Sequence, residues 1–129
     1  MPLMESGEMY LETILILEEK QGSVRSVDVA EYMSFSKPSV SRAIGILKKE
    51  GYVLMDRKGL LTLTEGGKAA ARKIYSRHRL LTEVLTALGV DPSVAEADAC
   101  RIEHVISEET FQALCRHRDE KMSEMTQDV

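Results

Sequence analysis

Long apolar runs are missing from this chain, whose longest uninterrupted apolar stretches are four residues, such as Ile14 to Leu17. A membrane-spanning helix needs about 20 mostly apolar residues, so none is expected. Met1 to Gly7 likewise lacks the apolar core of a secretory signal. The expectation is a soluble, cytoplasmic protein that engages no membrane. Cysteine is scarce: only Cys100 and Cys115 occur, with 14 intervening residues and no CxxC. That argues against a disulfide framework or a thiol-built zinc finger, and each thiol is read singly. Internal repeats, low-complexity tracts and the HExxH pattern of many zinc hydrolases are absent as well.

What is present is a charge asymmetry in a chain long enough, at 129 residues, for a real core. The formal net charge is −4, yet between Lys37 and Arg79 there are 11 Lys or Arg against Glu50, Asp56 and Glu65. A basic segment inside an acidic chain is the electrostatic footprint of a nucleic-acid contact surface, with a solvated basic face as the plain alternative.

The hydrophobic periodicity predicts helices and one hairpin. Ser6 is read as the cap of a first helix to about Lys20, with Tyr10, Ile14 and Leu17 on one face and Gly22 ending it. Ser26 is read as the cap of a short helix, Val27 to Met33. After the polar turn Ser34-Phe35-Ser36, a third helix with Pro38 in its first turn runs to about Glu50 and stops at Gly51. Val40, Ile44 and Leu47 face inward on it, leaving Ser39, Arg42 and Lys49 outside. Tyr52 to Met55 and Leu60 to Thr64 read as two strands joined by the basic tip Asp56-Arg57-Lys58-Gly59.

This order is that of a winged helix-turn-helix domain with a two-stranded wing. A helix with a polar, cationic outer face can enter the major groove, and a basic loop can reach neighbouring phosphates. Candidate DNA contacts are Ser36, Lys37, Pro38, Ser39 and Arg42 on the third helix and Arg57 and Lys58 in the hairpin. A helical domain with an ordinary hairpin is the competing reading.

The second half reads as helical. Glu65 to about Leu88 forms a long helix ended by Gly89, with Ile74, His78, Leu81, Leu85 and Leu88 along its inward stripe. A histidine in such a seam is more often a hydrogen-bonded core residue than a ligand. Asp91-Pro92 opens a helix through Val105, and Ser107 caps a last one from Glu108 to about His117, beyond which the polar tail is expected to fray. On the penultimate helix, Cys100, Glu103 and His104 share a face at spacings of three and four. Thiolate, carboxylate and imidazole together suit a transition metal such as Fe(II), Mn(II), Co(II) or Zn(II) better than Mg(II) or Ca(II). A buried cysteine beside a surface Glu-His pair would produce the same letters. No role is read for Cys115.

These motifs, in order, resemble those of the diphtheria toxin repressor and manganese transport regulator family of metal-dependent bacterial transcriptional repressors. The resemblance rests on Glu8-Met9-Tyr10-Leu11-Glu12, the winged-helix segment, Tyr75-Ser76-Arg77-His78-Arg79-Leu80-Leu81 and Cys100-Arg101-Ile102-Glu103-His104-Val105-Ile106-Ser107. It implies a mainly α fold: a winged helix over residues 1–71, then a helical metal-binding and dimerisation domain over residues 72–129, in the shorter form without an SH3-like third domain. It implies a non-enzymatic homodimer that binds a pseudo-palindromic operator in double-stranded DNA.

The family's metal positions fall on Met9, Cys100, Glu103 and His104 for one site, and on Glu12 and His78, with Glu103 as a bridge, for a second. Manganese regulators carry Asp and Glu where this chain has Met9 and Cys100, whereas the iron-responsive members carry Met and Cys. Sulfur donors disfavour Mn(II), so Fe(II) is the preferred co-repressor ahead of Mn(II), with Co(II), Ni(II) or Zn(II) able to substitute in vitro. Thr82 stands where the family has a carboxylate four residues after the histidine, and Glu96 where iron-responsive members ligate through histidine, which leaves the second site in question.

Two other classes fit parts of the pattern. A small metallo-hydrolase would hold zinc on Cys100, Glu103 and His104, and would turn over simple esters or peptides. A metal-independent or thiol-redox winged-helix regulator would use Cys100, and its DNA binding would respond to oxidant rather than chelator.

Overall fold

The computed structural model describes the backbone of residues 5–127 and the side chains of residues 6–124. The chain divides into two compact units, Met1–Ile74 and Tyr75–Val129. Among the described residues no helix is long and apolar enough to cross a membrane.

The first unit is a helical core closed by a small sheet. It comprises α1 (Glu5–Gln21), β1 (Val24–Arg25), α2 (Ser26–Met33), α3 (Lys37–Lys49), β2 (Val53–Met55), β3 (Leu60–Leu63) and the start of α4 (Glu65–Ala87). Leu11, Ile14, Val24, Val29, Val40, Ile44 and Val53 are fully buried and form its centre. The stripes Tyr10, Ile14, Leu17 and Val40, Ile44, Leu47 are inward, as the periodicity predicts. The expected hairpin strands β2 and β3 pair antiparallel, with Val53 opposite Leu63 and Met55 opposite Leu61. A third strand, β1, was not expected: Val24 and Arg25 pair with Leu61 and Leu60, making the sheet order β1-β3-β2. Two residues are too few to carry a period of two.

That strand corrects one cap. Pairing with Leu60 keeps Arg25 extended, at φ −121° and ψ 165°, so Arg25 precedes α2 and Ser26 is its first helical residue instead of the cap. The Arg25 amide donates to Asp28 Oδ2 at 2.9 Å, half of a capping box. Ser6 is no cap either, because α1 is already helical at Glu5. On α3 the expected Pro38 lies in the first turn and Gly51 follows the helix with φ +85°, while Ser36, not read as a cap, caps it by accepting from the Ser39 amide at 3.3 Å. The hairpin tip is organised by Asp56 Oδ1, which accepts from the amides of Lys58 at 2.8 Å and Leu60 at 2.9 Å.

The second unit contains the rest of α4, then α5 (Pro92–Ile102) and α6 (Glu108–Gln127). α4 ends in a Schellman turn, in which the Val90 amide donates to the Leu85 carbonyl at 3.0 Å, the Gly89 amide to that of Thr86 at 3.0 Å, and Gly89 takes φ +104°. The helix therefore stops before Leu88, which is 75% exposed rather than part of the inward stripe. Asp91 caps α5 by accepting from the Ser93 amide at 3.2 Å, and its carboxyl titrates below the usual range because the Ser93 side chain and backbone both donate to it.

Two helix ends differ from the sequence reading. α5 was expected through Val105 but stops at Ile102, placing Glu103 to Ile106 in a turn, where the Arg77 guanidinium takes the carbonyls of Glu103 and Ile106. α6, capped by Ser107 as expected, continues past His117 to Gln127. Its polar composition does not fray it: Gln112 donates to Glu108 one turn back, and Arg118, 35% exposed in its side chain, meets Glu83 on α4 at 3.4 Å.

Candidate functional site

In the second unit the chemistry centres on one buried carboxylate. Glu103 is 1% exposed, and its two oxygens face two imidazoles: Oε2 lies 2.9 Å from Nδ1 of His78, and Oε1 lies 3.3 Å from Nε2 of His104. α4 supplies His78, and the turn after α5 supplies the other two. Because Glu103 still has helical φ and ψ as the C-cap of α5, its side chain continues the inward face of Ala95 and Ala99. The His104 side chain is also 1% exposed, while that of His78 is 17% exposed. Glu96 Oε1 stands 4.0 Å from His78 Nε2, with its own side chain 70% exposed. Cys100 lies on α5 and is exposed as a residue.

Burying a carboxylate this completely is costly unless a proton or cation accompanies it. One carboxylate flanked by two imidazoles is a donor set of borderline hardness, suited to first-row transition metals. The residues present therefore fit a divalent transition metal, and Fe(II), Mn(II) and Zn(II) are all compatible with the nitrogen and oxygen donors.

The remaining candidate ligands lie in the first unit, on α1. Met9 is half-buried and Glu12 is buried at 9% exposure, three residues apart on neighbouring positions of one face. The Met9 carbonyl accepts from the Thr13 hydroxyl at 2.8 Å.

The candidate DNA contacts also lie in the first unit. Ser36, Lys37, Pro38, Ser39 and Arg42 are all exposed at the N-terminal half of α3, opposite its buried Val40, Ile44 and Leu47. Arg57 and Lys58 are exposed at the tip between β2 and β3. An unobstructed polar helix face beside a cationic hairpin can do what groove binding requires, namely offer donors to base edges and charge to phosphates.

One residue close to the metal-binding candidates was missed. Arg77 is 8% exposed, donating through one guanidinium nitrogen to the carbonyls of Glu103 at 3.2 Å and Ile106 at 3.1 Å, and pairing through the other with Glu108 at 2.9 Å. Its only sequence signal was an arginine directly before His78.

Two family profiles match the chain: "Iron dependent repressor, N-terminal DNA binding domain" over residues 2–61, and "Iron dependent repressor, metal binding and dimerisation domain" over residues 64–121. The diphtheria toxin repressor of Corynebacterium diphtheriae is 33% identical over 115 residues, covering 88% of this chain and 51% of the relative. The iron-dependent repressor IdeR of Mycobacterium tuberculosis is 34% identical over 115 residues, covering 88% and 50%. A solved manganese-dependent transcriptional repressor in complex with manganese superposes with a TM-score of 0.77 at 30% identity, covering 84% of this chain and 50% of that one. The chain thus spans about half the length of the curated relatives it matches.

Proposed function

Because this chain belongs to the iron-dependent repressor family, we propose that it is a metal-dependent DNA-binding transcriptional repressor that regulates metal-ion homeostasis and has no enzymatic activity. The observation that carries this reading is the buried Glu103 carboxylate between His78 and His104, in a chain whose other unit presents the exposed face of α3. Met9, Cys100, Glu103 and His104 would hold one ion, and Glu12 and His78, with Glu103 as a bridge, would hold a second. A bound divalent cation supplies the positive charge that a carboxylate buried this deeply calls for.

The chain's own residues then divide the work. Glu103 and His104 come from the turn after α5, His78 from α4, and Met9 and Glu12 from α1 of the DNA-binding unit. An ion that binds the DNA-competent arrangement more tightly makes its own occupancy and DNA binding mutually dependent. DNA-bound protein must then bind the ion more tightly by the same factor by which the ion tightens DNA binding. Met9 and Cys100 place sulfur where harder donors would favour manganese, so Fe(II) is the preferred physiological metal. As a cytoplasmic homodimer, the repressor would read two half-sites of a pseudo-palindrome about one DNA turn, or a multiple, apart.

The test is operator affinity measured anaerobically with Fe(II), Mn(II), Co(II) and Zn(II), each with a chelator control. Fe(II) or Co(II) should raise affinity by at least about fivefold, the lower range of allosteric coupling, and chelator should reverse it. Equal affinity with and without every metal would defeat the regulatory reading.

A further inference from the structure

The last turn of a helix leaves carbonyl groups without intrahelical partners, and their direction is set by whatever donates to them. At the end of α5 the Ile102 carbonyl accepts from the amides of Val105 and Ile106 at 3.0 Å each, and in the turn that follows the donor is a side chain. One nitrogen of the Arg77 guanidinium spans the carbonyls of Glu103 and Ile106, the first and last residues of the turn, at 3.2 and 3.1 Å. The guanidinium is itself held from two sides, by Glu108 Oε2 at 2.9 Å and by the ring of Phe111, whose centroid lies 5.5 Å away. His78 follows Arg77 directly on α4, so consecutive residues of one helix grip Glu103 at both ends: Arg77 its backbone, His78 its carboxylate.

We propose that Arg77 is a positioning residue of the metal centre, acting through the Glu103–Ile106 turn to present the Glu103 carboxylate and the His104 imidazole to the ion. The proposal rests on the metal-binding reading above. The role demands arginine's chemistry. A rigid, planar fork can serve two carbonyls and a carboxylate together, whereas a lysine ammonium on a flexible stem is a point charge without that fixed geometry. Without the fork the turn keeps its backbone bonds to Ile102 but loses the side-chain donor at its first and last carbonyls, and the ligands it carries lose their pre-set orientation.

The experiment uses the intact protein and Co(II), titrated into wild type, Arg77→Gln, Arg77→Lys and Glu108→Gln, following ligand-field absorption together with melting temperature before and after metal addition. Arg77→Gln should weaken Co(II) affinity about tenfold or more, the range for residues that orient metal ligands, and shift the absorption bands. Arg77→Lys should fall between it and wild type, and Glu108→Gln, which spares the guanidinium, should weaken binding less than Arg77→Gln. Should Arg77→Gln fail to fold, Arg77→Lys decides: wild-type affinity and bands in that variant overturn the proposal. So does an Arg77→Gln protein that melts lower but keeps the wild-type Co(II) affinity, bands and metal-induced rise in melting temperature, since that describes a purely structural residue. Wild-type protein that takes up no Co(II) refutes the metal-binding reading itself and this proposal with it, whereas a defect confined to the Arg77 variants leaves that reading standing and supports the proposal.

Discussion

Glu103 Oε2 lies 2.9 Å from Nδ1 of His78, in a carboxylate that is 1% exposed. Glu103→Gln keeps the shape and removes the charge, so the variant loses the ligand without opening a cavity. We expect the thermal stabilisation that Co(II) confers on wild type to vanish in this variant, because stabilisation by a ligand scales with its affinity for the folded state. A metal-induced rise in melting temperature equal to that of wild type would remove Glu103 from the ligand set.

In the proposed site, Met9 and Cys100 would set selectivity. Replacing both sulfur donors with oxygen donors, Met9→Asp with Cys100→Glu, should raise the ratio of Mn(II) to Fe(II) activation in operator binding while circular dichroism stays unchanged. An unaltered ratio would mean that neither sulfur ligates.

Asp91 makes stability depend on pH through the α5 cap. Its carboxyl is held below the usual range by the Ser93 hydroxyl and amide, so the charged form is favoured in the folded state. The stabilisation is complete above the carboxyl's unfolded-state titration range and is lost as pH falls through its lower folded-state value. Asp91→Asn, still a good cap, should flatten this acid-side decline in melting temperature, and Asp91→Ala should also lower the plateau. Parallel melting profiles for wild type and Asp91→Asn across the acid range would show that the cap is not the source.

The order of elements, the buried stripes of α1 and α3 and the caps at Asp91 and Ser107 were legible in the sequence, because each rests on local spacing or on one side chain reaching a nearby amide. The family was legible too, from motifs in order. What escaped was set at long range. Strand β1 exists because Leu60 and Leu61 approach from more than thirty residues away in sequence, and α5 stops at Ile102 where Arg77, 26 residues before Glu103, takes the turn's carbonyls. The grouping of His78 with Glu103 and His104 could be expected only through the family resemblance, since periodicity alone made His78 an ordinary seam residue. That Glu103 is buried, not merely polar, follows from tertiary packing that local spacing does not encode.

Gly67, in the first turn of α4, is constrained by a neighbour in the first unit. Thr64 caps this helix, its hydroxyl oxygen accepting from the Gly67 amide at 3.0 Å. A Cβ on Gly67 would lie 2.1 Å from the Tyr52 carbonyl oxygen, which already accepts the Thr64 amide at 3.0 Å and cannot easily withdraw. Helix propensity favours Gly67→Ala by about 1 kcal/mol, whereas overpacking costs about 1 to 3 kcal/mol, and contact with a fixed backbone atom belongs at the upper end. Net destabilisation is expected in urea unfolding, and a midpoint at or above that of wild type would show that the Tyr52 backbone yields freely.

Recognition of DNA can be separated from mere attraction to it with two arginine and lysine positions. Arg42 is exposed on α3, on the face opposite Val40, Ile44 and Leu47, and among the exposed residues of the helix's N-terminal half it is the one whose planar fork suits a bidentate contact to guanine. Lys58 sits at the hairpin tip, where Asp56 fixes its backbone and its ammonium is free to follow phosphates. Arg42→Ala should cost roughly 1 to 3 kcal/mol on the specific operator and relax preference at one base pair in each half-site. Lys58→Ala should weaken all sequences alike and lower the salt slope of binding by about one unit, as expected for one lost phosphate contact. Neither residue belongs to the proposed ligand set, so Co(II) binding by the free protein should be unchanged in both. Should Arg42→Ala weaken random DNA as much as operator, this arginine touches only phosphate, and the sequence is read by other residues of α3.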